Sequence, residues 1–168
     1  TIIELVKKIV LNACGVKSLG GLKLFLESFD FFSKTDSKIF VLYSEIEFYK
    51  DLNNQFYENP RVKFYKTTNK RYLHPFLNYF LPNKIVEEIN NSDAIIHFGN
   101  FGFKTLKKSF VLIQNILPLV KRGIRNSILK ILINRSMTLS NFILIQLDHL
   151  KDDICLLYTS DAADDTRS

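Results

Sequence analysis

Little in this sequence offers a covalent or membrane-borne frame. Two cysteines, Cys14 and Cys155, are too few for a disulfide framework and read as reduced thiols of a cytosolic chain. Apolar runs are short: Phe110-Val111-Leu112-Ile113, for one, stops at Gln114-Asn115. A membrane helix needs roughly 20 such residues. The opening Thr1-Ile2-Ile3-Glu4 has neither the basic segment nor the cleavage site of a secretory leader. With no initial Met, Thr1 is not expected to be the natural start. Internal repeats and low-complexity linkers are missing, and no ligand cluster suggests a bound metal.

What is present suits one folded domain. The chain has 168 residues, 46% of them hydrophobic and 24% charged, enough apolar content to exclude general disorder. The net charge is +6, a balance that suits nucleic acid, an anionic membrane surface or a phosphorylated substrate. The run from Cys155 to Asp165 departs from the Lys/Ile/Phe/Asn-rich chain before it and resembles a translated sequencing adapter. We therefore expect a domain over 1–154 and a non-native, disordered tail over 155–168. Without Asp161, Asp164, Asp165 and Arg167, the rest carries 22 Lys+Arg against 14 Asp+Glu, a charge of +8.

Short apolar runs alternate with helical patterns. Strands are expected at 8–13, 38–44, 62–65, 94–98, 110–114 and 142–146. Leu22, Phe25, Leu26 and Phe29 recur at helical spacing, so a helix is expected right after Gly21. Further helices are expected over 48–56, from Pro82 to Ile89 and over 121–140. Continuous apolar strands alternating with helices predict an α/β fold, a parallel sheet covered on both faces. Ligands of such sheets bind outside the carboxyl ends of the strands, which directs attention to the loops there.

Three of these loops carry polar or glycine-rich chemistry. Gly15-Val16-Lys17-Ser18-Leu19-Gly20-Gly21 could bring backbone N–H groups to a phosphate or simply make a tight turn. It matches neither the dinucleotide fingerprint nor the Walker A pattern. His97-Phe98-Gly99-Asn100-Phe101-Gly102 places an imidazole and an amide at a strand end, on the rim or packed beneath the sheet. Gln114-Asn115-Ile116-Leu117-Pro118 offers two amides, which suit sugar hydroxyls but also cap loops.

The first strand with its Gly20-Gly21 loop, the stretch Ser92–Asn100 and the stretch Val111–Pro118 together resemble the N-terminal domain of family 4 glycosyltransferases. The resemblance covers about residues 8–150. It implies a Rossmann-like parallel sheet with helices on both faces, the N-terminal half of a GT-B fold. It also implies a retaining sugar transfer from a nucleotide-sugar to a glycan or lipid-linked acceptor, with no other cofactor. By the same resemblance Gly20 and Gly21 lie over the donor phosphates, and His97, Asn100 and Asn115 line the acceptor side. The donor-binding domain and its catalytic residues would follow residue 154, so no catalytic residue is assigned and the fragment alone is expected to be inactive. Bacterial surface-polysaccharide synthesis is the implied setting.

Lys121, Arg122, Arg125 and Lys130 stud a segment in which Ile124, Ile128 and Leu132 would share one helix face. That face could rest on the sheet, or the helix could lie on an anionic membrane surface. The expected location is cytoplasmic, at the inner face of the plasma membrane. The alternative is a stand-alone Rossmann-like module for a nucleotide or phosphorylated metabolite. A nucleic-acid partner is not expected, since no base-stacking motif accompanies the charge.

Overall fold

The structure is a computed structural model. It describes residues 7–145, apart from 17–18, 45–48, 50, 51, 53, 55, 57, 69 and 115–120. The expected tail over 155–168 and Asn115 therefore lie outside the described residues.

Six strands form one sheet: β1 (Lys8–Asn12), β2 (Lys38–Tyr43), β3 (Val62–Lys66), β4 (Ala94–His97), β5 (Lys108–Ile113) and β6 (Phe142–Ile145). All are parallel, in the order β3-β2-β1-β4-β5-β6. The connections include α1 (Leu19–Ser33), a 3-10 helix (Arg71–Tyr79), α2 (Asn83–Asn90) and α3 (Ile124–Leu139). Between β2 and β3, Tyr49, Leu52, Asn54 and Phe56 are helical, within the span where a short helix is expected. This strand order is that of a Rossmann-like α/β fold. Its direction reverses between β1 and β4, where the loops leaving two neighbouring strands diverge.

The central strands are apolar on both sides because both sides are covered. Ile9, Leu11, Ile39 and Val41 face Phe25 and Phe29 of α1, together with Tyr49 and Leu52. Val10, Phe40, Leu42 and Ile95 face Leu77 of the 3-10 helix and Ile89 of α2. Val111 and Ile113 meet Leu129, Leu132, Ile133 and Met137 of α3. Full burial of each such side chain contributes about 1.5–3 kcal/mol. Phe25 anchors α1 at the reversal, its ring edge-on to Phe98, 5.6 Å away, just past β4.

Two expectations are corrected. The first helix begins at Leu19, so Gly20 and Gly21 sit within its first turn rather than before it. On α3, Ile124, Ile128 and Leu132 do not share a face: Leu132 is buried, whereas Ile124 and Ile128 are 85% and 46% exposed. Counting α-helical turns explains the split. Leu129, Leu132, Ile133, Ser136 and Met137 form the inward stripe, while Ile124, Ile128 and Ile131 form an outward one.

Candidate functional site at the carboxyl edge

The loops that leave the strands at the carboxyl edge are joined by hydrogen bonds and one close backbone contact. From β1, the Ala13 N–H donates to the Leu42 carbonyl (2.9 Å), and Ser44 Oγ donates to the Cys14 carbonyl (3.0 Å). Cys14 Sγ lies 2.9 Å from Thr67 Oγ1, past the end of β3. Burial raises the Cys14 thiol to about 12, so it carries no thiolate near neutrality.

Across the reversal, β1 and β4 are held by one amide and one imidazole. Asn12 Oδ1 accepts the Cys14 N–H at 3.2 Å, which directs Nδ2 at His97 Nδ1, 2.8 Å away. The amide can only donate there, so Nδ1 accepts and the ring proton belongs on Nε2. His97 Nε2 has no hydrogen-bond partner among the described residues. The ring packs edge-on against Phe103, with centroids 4.9 Å apart. Burial lowers the His97 pKa to about 3, which keeps it neutral.

Above this pair the backbones touch. A Cβ on Gly15 would lie 2.8 Å from the carbonyl oxygens of both Phe98 and Gly99. Gly99 has φ +80° and Asn100 φ 73°, so the chain turns sharply after β4 through two left-handed residues. Asn100 Oδ1 then accepts the Gln114 N–H at 2.7 Å and fixes the exit of β5 to the β4 loop.

Gly20, Gly21, His97 and Asn100 therefore occupy one edge but not one kind of place. Gly20 is exposed at the head of α1, with nothing within 4 Å of where a Cβ would stand. Gly21 beside it is buried. His97 and Asn100 are both buried, and their resolved bonds tie strands and loops together. Of the two readings left open for His97, the one beneath the rim holds. Asn115 lies outside the described residues, although Gln114 brings the chain to the same edge. Lys121, Arg122 and Arg125 are exposed and Lys130 half-buried, ahead of and along α3.

Sequence reading missed Asn12 and understated Gly15 and Gly99. The available signal was a polar amide closing an apolar strand, and a glycine within three residues of the end of each of two neighbouring strands. Among the described residues no group of His, Cys, Asp and Glu could hold a metal ion. No helix among them is long and apolar enough to cross a membrane. The chain matches no family model, no curated protein and no solved structure.

Proposed function

We propose that this chain is the acceptor-side half of a two-domain retaining glycosyltransferase. In this reading a second Rossmann-like domain, following residue 154, binds the nucleotide-sugar. The observation that carries the reading is the placement of Gly20 and Gly21 in the first turn of α1, at the same edge as the loops from β4 and β5. A helix start favours a phosphate, and the exposed Gly20 lets it come close. Asn115 would meet the acceptor sugar, while His97 and Asn100 would set the shape of that wall from beneath.

The outward stripe of α3 suits a lipid-linked acceptor at the inner face of the plasma membrane. Ile124, Ile128 and Ile131 are exposed, with Lys121, Arg122 and Arg125 beside them. Apolar side chains flanked by cations match an anionic bilayer surface.

Reading the gene through residue 154 in genomic DNA tests the proposal. A second α/β domain of similar size is the expected result. A natural stop near that point, with nucleotide affinity in the short chain, would instead favour the stand-alone binding module.

A further inference from the structure

Two cavities among the described residues lie away from the carboxyl edge. One, of about 420 Å³, sits where β1, β2 and β3 begin and is lined by Lys8, Lys38, Arg61 and Lys84 among others. A second, of about 390 Å³, runs along the outer margin of β3. The two share Phe40, Lys63, Lys84 and Glu88, so they form one trough.

β3 is an edge strand. The Ile39 N–H donates to the Arg61 carbonyl and the Thr67 N–H to the Tyr43 carbonyl. Odd-numbered residues of β3 therefore face β2, and Val62, Phe64 and Lys66 turn their main-chain groups outward. Among the described residues, none bonds the N–H of Phe64 or Lys66. The second cavity touches Val62 and Phe64 on one face of the sheet and Tyr65 and Ile85 on the other. It thus straddles the open edge, where an added strand would place side chains alternately to each face.

The charge around this edge has one dominant sign. Lys38, Lys63, Lys66 and Lys84 are exposed, and Arg61 is half-buried. Glu88 binds Lys63 at 3.0 Å and also Lys8, and hydrogen bonds from Lys8 and Lys63 hold its carboxyl below the usual range. Lys38 and Lys84 have no ion-pair partner among the described residues. A second copy of this chain would bring its own lysines to the same edge, so like charges oppose self-pairing. An acidic strand meets complementary charge.

We propose that the β3 edge is a docking site for an extended acidic segment of another protein, which adds to the sheet as a further strand. Main-chain bonds to Phe64 and Lys66 would hold it. Its apolar side chains would seat against Phe64 on one face, and its acidic ones would meet Lys38, Lys63 and Lys84 beside Tyr65 on the other. The inference is independent of the proposed sugar transfer, which uses the loops after β1, β4 and β5 rather than the margin of β3.

The test uses the 168-residue chain and a short synthetic peptide alternating Glu with Val, with the Lys/Val counterpart as control. Binding is read by anisotropy, and amide exchange is followed at Phe64 and Lys66. The acidic peptide should bind and protect both amides. Lys66→Pro removes one outward donor from an edge that tolerates proline, and should weaken binding about tenfold. Lys84→Glu should weaken binding and flatten its salt dependence, and it serves as the decisive variant if Lys66→Pro fails to fold. Equal binding by the basic peptide, or no protection of either amide, would overturn the proposal. So would self-association through β3 without peptide, or inorganic pyrophosphate displacing the peptide from a Lys66→Pro chain of unchanged affinity.

Discussion

Gly15 and Gly99 meet backbone to backbone at the point where the sheet reverses direction. A Cβ on Gly99 would stand 2.4 Å from the Gly15 carbonyl carbon and oxygen, and Gly99 has φ +80°. Neither backbone can yield without moving the strand behind it. Gly99→Ala adds a steric clash to a left-handed conformation and should cost about 2–4 kcal/mol. Gly15→Ala should cost a similar amount, through the clash alone. Gly20→Ala meets open space within a helix, so it should be neutral or stabilising by up to about 1 kcal/mol. Urea melts of the three variants separate the packing glycines from the exposed one.

His97 predicts an acid sensitivity of known sign. Its pKa is about 6.5 in the unfolded chain and is lowered to about 3 by burial in the fold. The unfolded state therefore binds the extra proton first. Stability is full above pH 6.5 and is lost as pH falls toward 3, with a slope approaching about 1.4 kcal/mol per pH unit. Protonation would also set a donor on Nδ1 against the Asn12 amide. His97→Gln should lower stability at pH 7 yet remove this part of the slope between pH 6.5 and 5. Equal slopes in both proteins, from urea melts across that range, would show that His97 is not buried as described.

Asn100 does two jobs that substitution can separate. Its φ of 73° favours glycine or asparagine, and its Oδ1 accepts the Gln114 N–H. Asn100→Gly keeps the conformation and loses the bond, at about 1 kcal/mol. Asn100→Ala loses both and should cost about 2–3 kcal/mol. Asn100→Asp keeps the acceptor and should stay within about 1 kcal/mol of the parent. Thermal melts at neutral pH order the three.

The outward stripe of α3 predicts lipid binding with two components. Replacing Arg122, Arg125 and Lys130 together by Ala should weaken association with anionic vesicles roughly a hundredfold, at about 1 kcal/mol per charge. Ile131→Glu places a carboxylate on the exposed apolar stripe and should weaken binding to anionic vesicles further. Co-sedimentation that is equal for parent and triple variant would leave α3 as an ordinary surface helix.

Much of the architecture was legible because the strands are continuous apolar runs with helical patterns between them. Runs such as Ile9-Val10-Leu11 and Ile39-Phe40-Val41-Leu42 admit few readings other than a doubly covered strand. The helix start was misplaced because Leu19 precedes two glycines, residues that usually lie outside a helix. The two faces of α3 were merged because Ile124, Ile128 and Leu132 all fit one helical spacing, and the choice between stripes is made by what Val111 and Ile113 require beneath. At the site, composition identifies the edge but not the depth. His97 and Asn100 are polar residues at a strand end, and only the close approach of Gly15 to Gly99 reveals that both lie under it.

Sugar transfer by the gene product read through residue 154 tests the central claim most directly. The parent enzyme should move a sugar from a nucleotide-sugar to a glycan or lipid-linked acceptor with retained anomeric configuration. Gly20→Val should abolish transfer without lowering the melting temperature, since its side chain would fill the approach to the phosphate rather than the core. No transfer from any nucleotide-sugar, or full transfer by Gly20→Val, would contradict the account.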